Sequence, residues 1–262
     1  MADQLLFDVQ NGIATITLNR PEKLNAFTSE MLAAWTDAYR QCRDRDDIRV
    51  AILTGAGRGF CSGGDVSRMG DAEKVTPLWM KNDLWSTIQT LALTAAEVDK
   101  PLICAVNGAA TGAGMDVTLM CDLRIAAESA RFAESYVKLG LVPGGGGCWF
   151  LPRLIGPTKA AELLLTGDFV DAREALRIGL VSEVVPDAQL MEKAHQLAGR
   201  IARNPLHSIR LIKRAMQQGR NIDLRTHLDQ VSSHIAVARA TEDHAEAVAA
   251  FREKREPVFK GK

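Results

Sequence analysis

At 262 residues, the chain is long enough to bury a substantial core, either as one large domain or as a domain with an appendage. Its 32 basic and 32 acidic residues cancel, which argues against binding to nucleic acid. No apolar stretch approaches the ~20 residues that span a bilayer, and the N-terminus lacks the basic and apolar segments of a signal peptide. We therefore expect no membrane partner.

The cysteines and histidines indicate neither disulfides nor a metal site. The five cysteines form no CxxC pair, and Cys104 and Cys121 lie in apolar runs where buried free thiols are common. This usage predicts a reducing, cytoplasmic setting. The five histidines lie toward the C-terminal end without metal-ligand spacing such as HExxH, so no metal is expected.

The N-terminal segment predicts a hairpin followed by a helix. Residues 5–9 and 13–18 are short apolar strands, and the intervening Asn11 and Gly12 are typical of a tight hairpin turn. Thr28 is placed to cap a helix whose apolar positions recur every three or four residues, at Met31, Trp35, Ala38 and Cys42.

A strand, strand and helix unit then recurs along the chain. Residues 50–54 form a continuously apolar strand of the kind covered on both faces. Residues 102–106 lead into a helix from about residue 112, and residues 123–126 form another strand. The recurrence predicts an α/β fold built as a spiral of ββα units rather than a nucleotide-binding sheet.

Helices are expected in the rest of the chain. Residues 79–98 predict a helix, whereas residues 69–76 have no clear period. Helical patterns dominate after residue 157, and we place a boundary between residues 1–197 and a helical region, 198–262. That region has more apolar side chains than a solvated tail needs, which predicts a subunit interface. They include Leu211, Ile212, Met216, Leu224, Val231 and Ile235.

Two glycine-bearing segments, residues 59–65 and 107–116, each follow an apolar strand and lead into a helical pattern. A strand that breaks at glycine and restarts as a helix leaves backbone N–H groups unpaired. Two such ends facing one point would form a two-donor pocket for a negatively charged oxygen. The alternative is a pair of ordinary strand-to-helix turns.

With these segments, the chain resembles the crotonase, or enoyl-CoA hydratase/isomerase, family. The matching segments, in order, are residues 19–26, 59–65, 100–116, 120–127, 138–143 and 242–262. The resemblance implies the ββα spiral, a C-terminal helical region that forms trimers or hexamers, and an acyl-CoA thioester substrate. It implies no separate cofactor, because coenzyme A is part of the substrate.

The resemblance assigns the oxyanion hole to the backbone N–H groups of Gly64 and Ala113. Ala113 stands where relatives commonly carry glycine, a harmless change unless the residue needs a positive φ. The positions that match the CoA site are Lys23, Leu24, Ser62, Gly64, Asp65, Val66, Phe259 and Lys262. Alternatively, the two lysines are surface charge, and Asp65 caps the following helix, a role that we favour over catalysis.

The chain departs from the family pattern at the acid–base positions. Family hydratases place two glutamates around one water. The first position is Asp116, the second is Tyr136, and a third position that carries a carboxylate in some isomerases is Gly144. Asp116 is therefore our candidate acid/base. Alternatively, Asp116 is only a polar residue in the first turn of a helix. Tyr136 is a candidate proton or hydrogen-bond donor, or else a core tyrosine.

Glu134 offers a replacement for the missing carboxylate. If its segment is extended, Glu134 and Tyr136 share a face. A solvated glutamate is the commoner outcome for such a position.

These residues predict an enoyl-CoA hydratase that stabilises a thioester enolate and uses Asp116 as acid/base. The alternatives are an enoyl-CoA isomerase or another crotonase-type thioester reaction using Asp116 and Tyr136, and a non-catalytic acyl-CoA-binding protein. A dinucleotide enzyme is disfavoured because residues 55–59 lack GxGxxG spacing. We expect residues 67–90 and 136–150 to form the walls of the acyl pocket.

Overall fold

The computed structural model describes residues 3–65 and 76–262. The strands are β1 (Leu5–Gln10), β2 (Ile13–Leu18), β3 (Val50–Gly55), β4 (Gly59–Cys61), β5 (Leu102–Val106), β6 (Ala109–Thr111), β7 (Leu123–Ala127), β8 (Arg131–Ala133), β9 (Val170–Asp171) and β10 (Glu183–Val185). The α-helices are α1 (Ser29–Asp44), α2 (Pro77–Leu84), α3 (Thr90–Glu97), α4 (Ala113–Leu119), α5 (Gly147–Ile155), α6 (Pro157–Thr166), α7 (Ala172–Arg177), α8 (Leu190–Ala202), α9 (Leu206–Gln218), α10 (Leu224–Arg239) and α11 (Glu242–Glu253). Val66 and most of the segment 69–76 lie outside the described residues.

The N-terminal hairpin and α1 follow the local sequence signals. Strands β1 and β2 pair antiparallel across a turn in which Asn11 and Gly12 both have positive φ. The Thr28 hydroxyl accepts a hydrogen bond from the Met31 N–H at 3.1 Å, which caps α1 as predicted.

The repeating unit builds two sheets side by side. The larger sheet has the order β1-β2-β3-β5-β7-β10, and the smaller has the order β4-β6-β8-β9. The pairs β3 and β4, β5 and β6, and β7 and β8 each place one strand in the larger sheet and the next in the smaller. Successive units stack through parallel pairing, as between Ile52 and Ile103. This arrangement confirms the predicted α/β spiral of ββα units.

Both faces of the larger sheet are covered, which explains why its strands are apolar throughout. Leu53 and Cys104 face one core, which also contains Trp35 and Tyr39 of α1. Ile52 and Ile103 face a second core formed with α8. Residue alternation along each strand therefore divides the apolar side chains between two hydrophobic layers.

The segment predicted as one helix over 79–98 is interrupted by a π-helical turn. Helices α2 and α3 flank this turn, Trp85–Gln89. The hydroxyl of Thr90 donates to the Trp85 carbonyl, and that of Thr87 donates to the Asp83 carbonyl. Such side-chain bonds compete with the regular helix ladder, which gives a local reason for the wider turn.

Polar contacts attach the C-terminal helices to the spiral. The Lys213 ammonium of α9 donates to an Asp122 carboxylate oxygen at 2.6 Å and to the Lys100 carbonyl at 2.9 Å. Arg210 binds Asp99 at 2.9 Å. The predicted boundary at 197/198 falls inside α8, whose Ala198 belongs to the second core, and the division stays a prediction.

Within the described part of a single chain, α10 buries no residue. Its apolar side chains Leu224, Leu228, Ile235 and Val237 are all exposed, together with Ile212 and Met216 of α9. No helix among the described residues is both long and apolar enough to cross a bilayer.

Candidate active site

The spiral brings the two glycine segments together because β4 and β6 are parallel neighbours. Gly59 pairs with Ala109, and Cys61 pairs with Ala110. The carboxyl ends of both strands therefore lie at the same end of the smaller sheet, and the chain leaves the sheet there. A Cβ atom added to Gly63 would lie 3.3 Å from the Ala113 nitrogen. The glycine at position 63, with φ 95°, permits this close approach of two main chains.

Two backbone N–H groups at this junction are available for a ligand. Phe27 donates to the Gly63 carbonyl at 2.9 Å and accepts from the Asp65 N–H at 3.1 Å. Since successive residues of an extended segment alternate their hydrogen-bonding edge, the Gly64 N–H faces away from Phe27. Neither this N–H nor that of Ala113 donates to any residue that the structure describes. Their convergence on one oxygen stays a prediction.

Ala113 begins α4, and the preceding glycine provides the unusual backbone conformation. Gly112 has φ 52°, whereas Ala113 is absent from the described residues with positive φ. The side chain at position 113 therefore creates no backbone strain, as expected from the sequence.

Asp116 lies in the first turn of α4, three residues after Ala113, and is fully buried. Its Oδ2 accepts a hydrogen bond from the Tyr136 hydroxyl at 2.6 Å and another from the Gly145 N–H at 2.8 Å. Burial raises the pKa of Asp116, while these two hydrogen bonds oppose the rise because they stabilise the anion. The site thus contains a carboxylate in a protein interior, supported by directed donors.

Tyr136 lies in a short 3₁₀ turn, Ser135–Leu139, beside this carboxylate. Burial and the negative charge of Asp116 raise the pKa of Tyr136 far above that of a free phenol. The side chain therefore keeps its proton and acts as a hydrogen-bond donor to Asp116.

Glu134 is fully buried and lies next to Asp116. Burial, and then the charge of Asp116, raise the pKa of Glu134 to about 9. The expected solvated position is therefore wrong. The segment is not extended, so the condition for a shared strand face is not met: β8 ends at Ala133 and a 3₁₀ turn follows Glu134. Glu134 and Tyr136 nevertheless both reach Asp116, since the turn folds them around it.

Glycines on the opposite side of Asp116 make room for the carboxyl groups. A Cβ atom at Gly145 would lie 2.9 Å from Asp116 Oδ2, and one at Gly147 would overlap Asp116 Oδ1. These two glycines were not among the site residues expected from the sequence. The run of four glycines at 144–147, which ends at the first residue of α5, was the available signal.

The π-helical turn packs against the same glycine segment. The Gln89 amide donates to the Gly144 carbonyl at 3.3 Å, and a Cβ atom at Gly144 would lie 3.5 Å from Leu84 Cδ2. Ile88 similarly faces Gly145. The segments 67–90 and 136–150 therefore meet, where described, beside Asp116, and their role as walls of an acyl pocket stays a prediction.

The predicted CoA-binding residues fall into two groups. Lys23 and Leu24 lie next to Ser62, whose N–H donates to the Leu24 carbonyl at 3.0 Å. Asp65 pairs with Arg20 at 3.0 Å, and its expected role as a helix cap concerns residues outside the described part of the chain, as does Val66.

Phe259 and Lys262 belong to a tail that folds back on the start of α11. The buried Asp243 carboxylate accepts from the N–H groups of Lys260 and Gly261, at 2.7 and 2.9 Å. The Lys262 carbonyl accepts from the Asp243 N–H at 3.1 Å. In one chain the tail is thus held by α11, an element separate from the Lys23 and Ser62 group.

Comparison with known proteins places the chain in a family. A family model described as enoyl-CoA hydratase/isomerase matches residues 8–262. The chain is 40% identical to 1,2-epoxyphenylacetyl-CoA isomerase of Escherichia coli K12, with 100% of both chains covered. It is 35% identical to 2,3-dehydroadipyl-CoA hydratase of the same organism, with 99% of both covered. A crystal structure of enoyl-CoA hydratase from Bacillus anthracis matches with a TM-score of 0.93 and 36% identity, covering 99% of this chain and 100% of that one. The chain therefore belongs to the enoyl-CoA hydratase/isomerase family.

Gly147, which leaves room for the carboxyl groups of Asp116 and Glu134, allows a direct test of the site. Gly147→Ala places a methyl group against Asp116 Oδ1 and 2.7 Å from Glu134 Oε1, without a positive φ to strain. We expect turnover of an enoyl-CoA substrate to fall on the order of 100-fold, the cost typical of a 1 Å misplacement of a catalytic group. Steady-state kinetics, with thermal melting as a check on folding, would measure this.

Gly199→Ala in α8 is the matched control, since a Cβ atom there meets no heavy atom within 4 Å. This variant should keep wild-type turnover and gain about 0.5–1 kcal/mol of stability from the helix propensity of alanine. Wild-type turnover in Gly147→Ala would contradict the placement of the reaction at Asp116.

Proposed function

We propose that this chain acts on α,β-unsaturated acyl-CoA thioesters, with Asp116 as the acid/base. The observation that carries the proposal is the position of this buried carboxylate one turn into α4, whose first N–H belongs to Ala113. A thioester carbonyl bound by the Gly64 and Ala113 N–H groups would place its α carbon near Asp116. Two aimed donors stabilise the enolate that forms when a proton moves at that carbon.

Hydration of a 2-enoyl-CoA is the first candidate reaction. A water oxygen bonds to the β carbon, one water proton passes to Asp116, and a proton is returned to the α carbon as the enolate collapses. The thioester stays intact, and coenzyme A serves as part of the substrate. The relative named 2,3-dehydroadipyl-CoA hydratase supports this reaction class.

Isomerisation is the second candidate, and it is favoured because Tyr136 keeps its proton and cannot serve as a second carboxylate. This residue occupies the family's second acid position but remains a phenol that donates to Asp116. A single carboxylate can take a proton from one carbon of the acyl chain and return it to another, so a double-bond shift needs no second acid. The relative named 1,2-epoxyphenylacetyl-CoA isomerase supports isomerisation of an acyl-CoA as a reaction class.

The remaining site assignments extend this proposal. Lys23, Leu24, Ser62, Asp65 and Val66 would line coenzyme A, and Phe259 and Lys262 would reach its phosphates, sometimes across a subunit boundary. Among the described residues, no three His, Cys, Asp or Glu side chains are grouped to hold a metal ion. A reaction without metal or redox cofactor, and a cytoplasmic setting, stay predictions.

Asp116→Asn tests the acid/base assignment. The amide keeps the shape of the side chain but cannot take a proton, so we expect kcat to fall on the order of 100- to 10,000-fold while acyl-CoA binding persists. Tyr136→Phe removes one donor to the carboxylate and should lower kcat on the order of 10-fold.

Mass spectrometry of the product separates hydration from isomerisation, because hydration adds one water to the thioester and isomerisation leaves its mass unchanged.

The assay should cover 2-enoyl and 3-enoyl thioesters of several chain lengths. Full kcat in Asp116→Asn on the substrate used best would contradict the assignment. Tight binding without turnover of any thioester would instead favour the non-catalytic acyl-CoA-binding protein.

Ala113→Pro tests the oxyanion hole because it deletes one backbone N–H. Proline is well tolerated at the first position of a helix, where the N–H has no intrahelical partner. We expect kcat/KM to fall on the order of 100- to 1,000-fold, as for the loss of one oxyanion donor. Ala113→Gly retains the N–H and should keep kcat/KM within about threefold of wild type. Equal losses in the two variants, at similar melting temperatures, would refute the role of this N–H.

The oligomeric state is a further part of the proposal, because α10 presents apolar side chains that a single chain leaves exposed. Leu228 and Ile235 are seven residues apart and therefore share a helix face. We expect light scattering to give the mass of three or six chains, and the double change Leu228→Glu with Ile235→Glu to reduce that mass. A wild-type monomer at micromolar concentration would contradict the expected trimer or hexamer.

A further inference from the structure

Glu134 lies two residues before the family's second acid position and is buried against Asp116. A Cβ atom at Gly147 would lie 2.7 Å from Glu134 Oε1 and would overlap Asp116 Oδ1. The two carboxyl groups therefore approach one another over the backbone of a single glycine. Neither residue is exposed to solvent.

Three carboxyl oxygens at this contact, Oδ1 of Asp116 and both oxygens of Glu134, have no well-aligned hydrogen-bond donor in the part of the chain that the structure describes. Among the described residues, no donor in hydrogen-bonding geometry reaches these three oxygens, although the nearby Gly147 N–H stabilises the Asp116 anion. A buried, unpaired carboxylate oxygen is costly, and two adjacent carboxylates would add mutual repulsion. A proton on one of the two groups lowers both costs, because it cancels one charge and supplies one donor between the two carboxyl groups.

We propose that Glu134 and Asp116 form a carboxylic acid–carboxylate pair that shares one proton, with Glu134 as the positioning residue for the acid/base Asp116. This inference rests on the proposed function for its catalytic part, whereas the shared proton itself is independent of any reaction.

The surroundings decide which carboxyl group holds the proton. Asp116 Oδ2 already receives two hydrogen bonds, from Tyr136 and Gly145, which favour its anion. Glu134 receives none from the described residues. Burial and the neighbouring charge raise the pKa of Glu134 to about 9, so at neutral pH it is the acid and donates to Asp116.

The pair gives the site a defined proton balance. At rest it holds one proton and one negative charge. When Asp116 takes a proton from water or from an acyl carbon, the pair becomes neutral, and the charge moves to the thioester enolate. Returning the proton to carbon restores the starting state. At no stage does the buried pair carry two negative charges.

Infrared spectroscopy tests the shared proton without any turnover. The wild-type protein should show the carbonyl stretch of a buried protonated carboxyl group at pH 7, which disappears as the pH rises through about 9. Glu134→Gln should lack this band. A band that survives in Glu134→Gln, or a wild-type protein without one at pH 7, would overturn the inference.

The pH dependence of kcat tests the positioning role. Above about pH 9, Glu134 ionises and can no longer donate to Asp116, so wild-type kcat should fall. Glutamine donates at every pH, and Glu134→Gln should therefore keep kcat at pH 7 within about tenfold of wild type and lose the alkaline fall. Glu134→Leu removes the donor and should lower kcat at least about tenfold at pH 7.

Within the described part of the chain, two other titratable groups interact with this pair. Tyr136 does not contribute to the alkaline fall because its pKa is raised far above its ordinary value. The thiol of Cys148, whose pKa burial also raises, lies close enough to interact with both carboxyl groups. Cys148→Ser is therefore the control, and it should retain the wild-type pH profile.

The outcomes separate this inference from the proposed function. An unchanged alkaline fall in Glu134→Gln, with turnover that still requires Asp116, would overturn the positioning role and leave the proposed function intact. Absence of turnover with every thioester would refute the proposed function, while the infrared band would still confirm or overturn the shared proton.

Discussion

The central constraint in this protein is the burial of one negative charge. A carboxylate in a protein interior needs donors and space, and both are built around Asp116 from three parts of the chain. The 3₁₀ turn supplies Tyr136, the glycine run before α5 supplies the Gly145 N–H, and glycine at position 147 leaves room for Oδ1. Loss of the Tyr136 hydroxyl would remove one of the two donors, and a side chain at position 145 or 147 would crowd the carboxylate oxygens.

The spiral architecture explains why these parts meet. Strands β4, β6 and β8 of the smaller sheet are parallel, and their carboxyl ends lie side by side. The segments that follow these three strands are therefore neighbours. The segment after β4 carries the Gly64 N–H, the segment after β6 carries the Ala113 N–H and Asp116, and the segment after β8 carries the Glu134–Tyr136 turn. Parallel stacking thus brings residues that are distant in the sequence, but that each follow a strand, into one cluster.

The sequence predicts those features whose causes are local. The turn at Asn11 and Gly12, the Thr28 cap and the apolar strands depend on a few adjacent residues, and the structure contains them. The environment of Glu134 was not predictable in this way, because its burial depends on α4 and α5, which lie elsewhere in the chain. The π-helical turn was likewise missed, since its apolar pattern differs little from that of a continuous helix. Family resemblance named Asp116, but only tertiary structure places three proton-bearing or proton-accepting groups together.

The location of the second carboxyl group has a structural explanation. In an extended segment, residues 134 and 136 would point in the same direction but remain separated along the strand. The chain instead turns at Glu134, and the 3₁₀ geometry brings Tyr136 to one oxygen of Asp116 while Glu134 faces the other. A carboxyl group displaced by two positions can therefore still interact with Asp116. Tyrosine at position 136, where the family resemblance leads us to expect a carboxyl group, is thus accompanied by a second carboxyl group beside Asp116, that of Glu134.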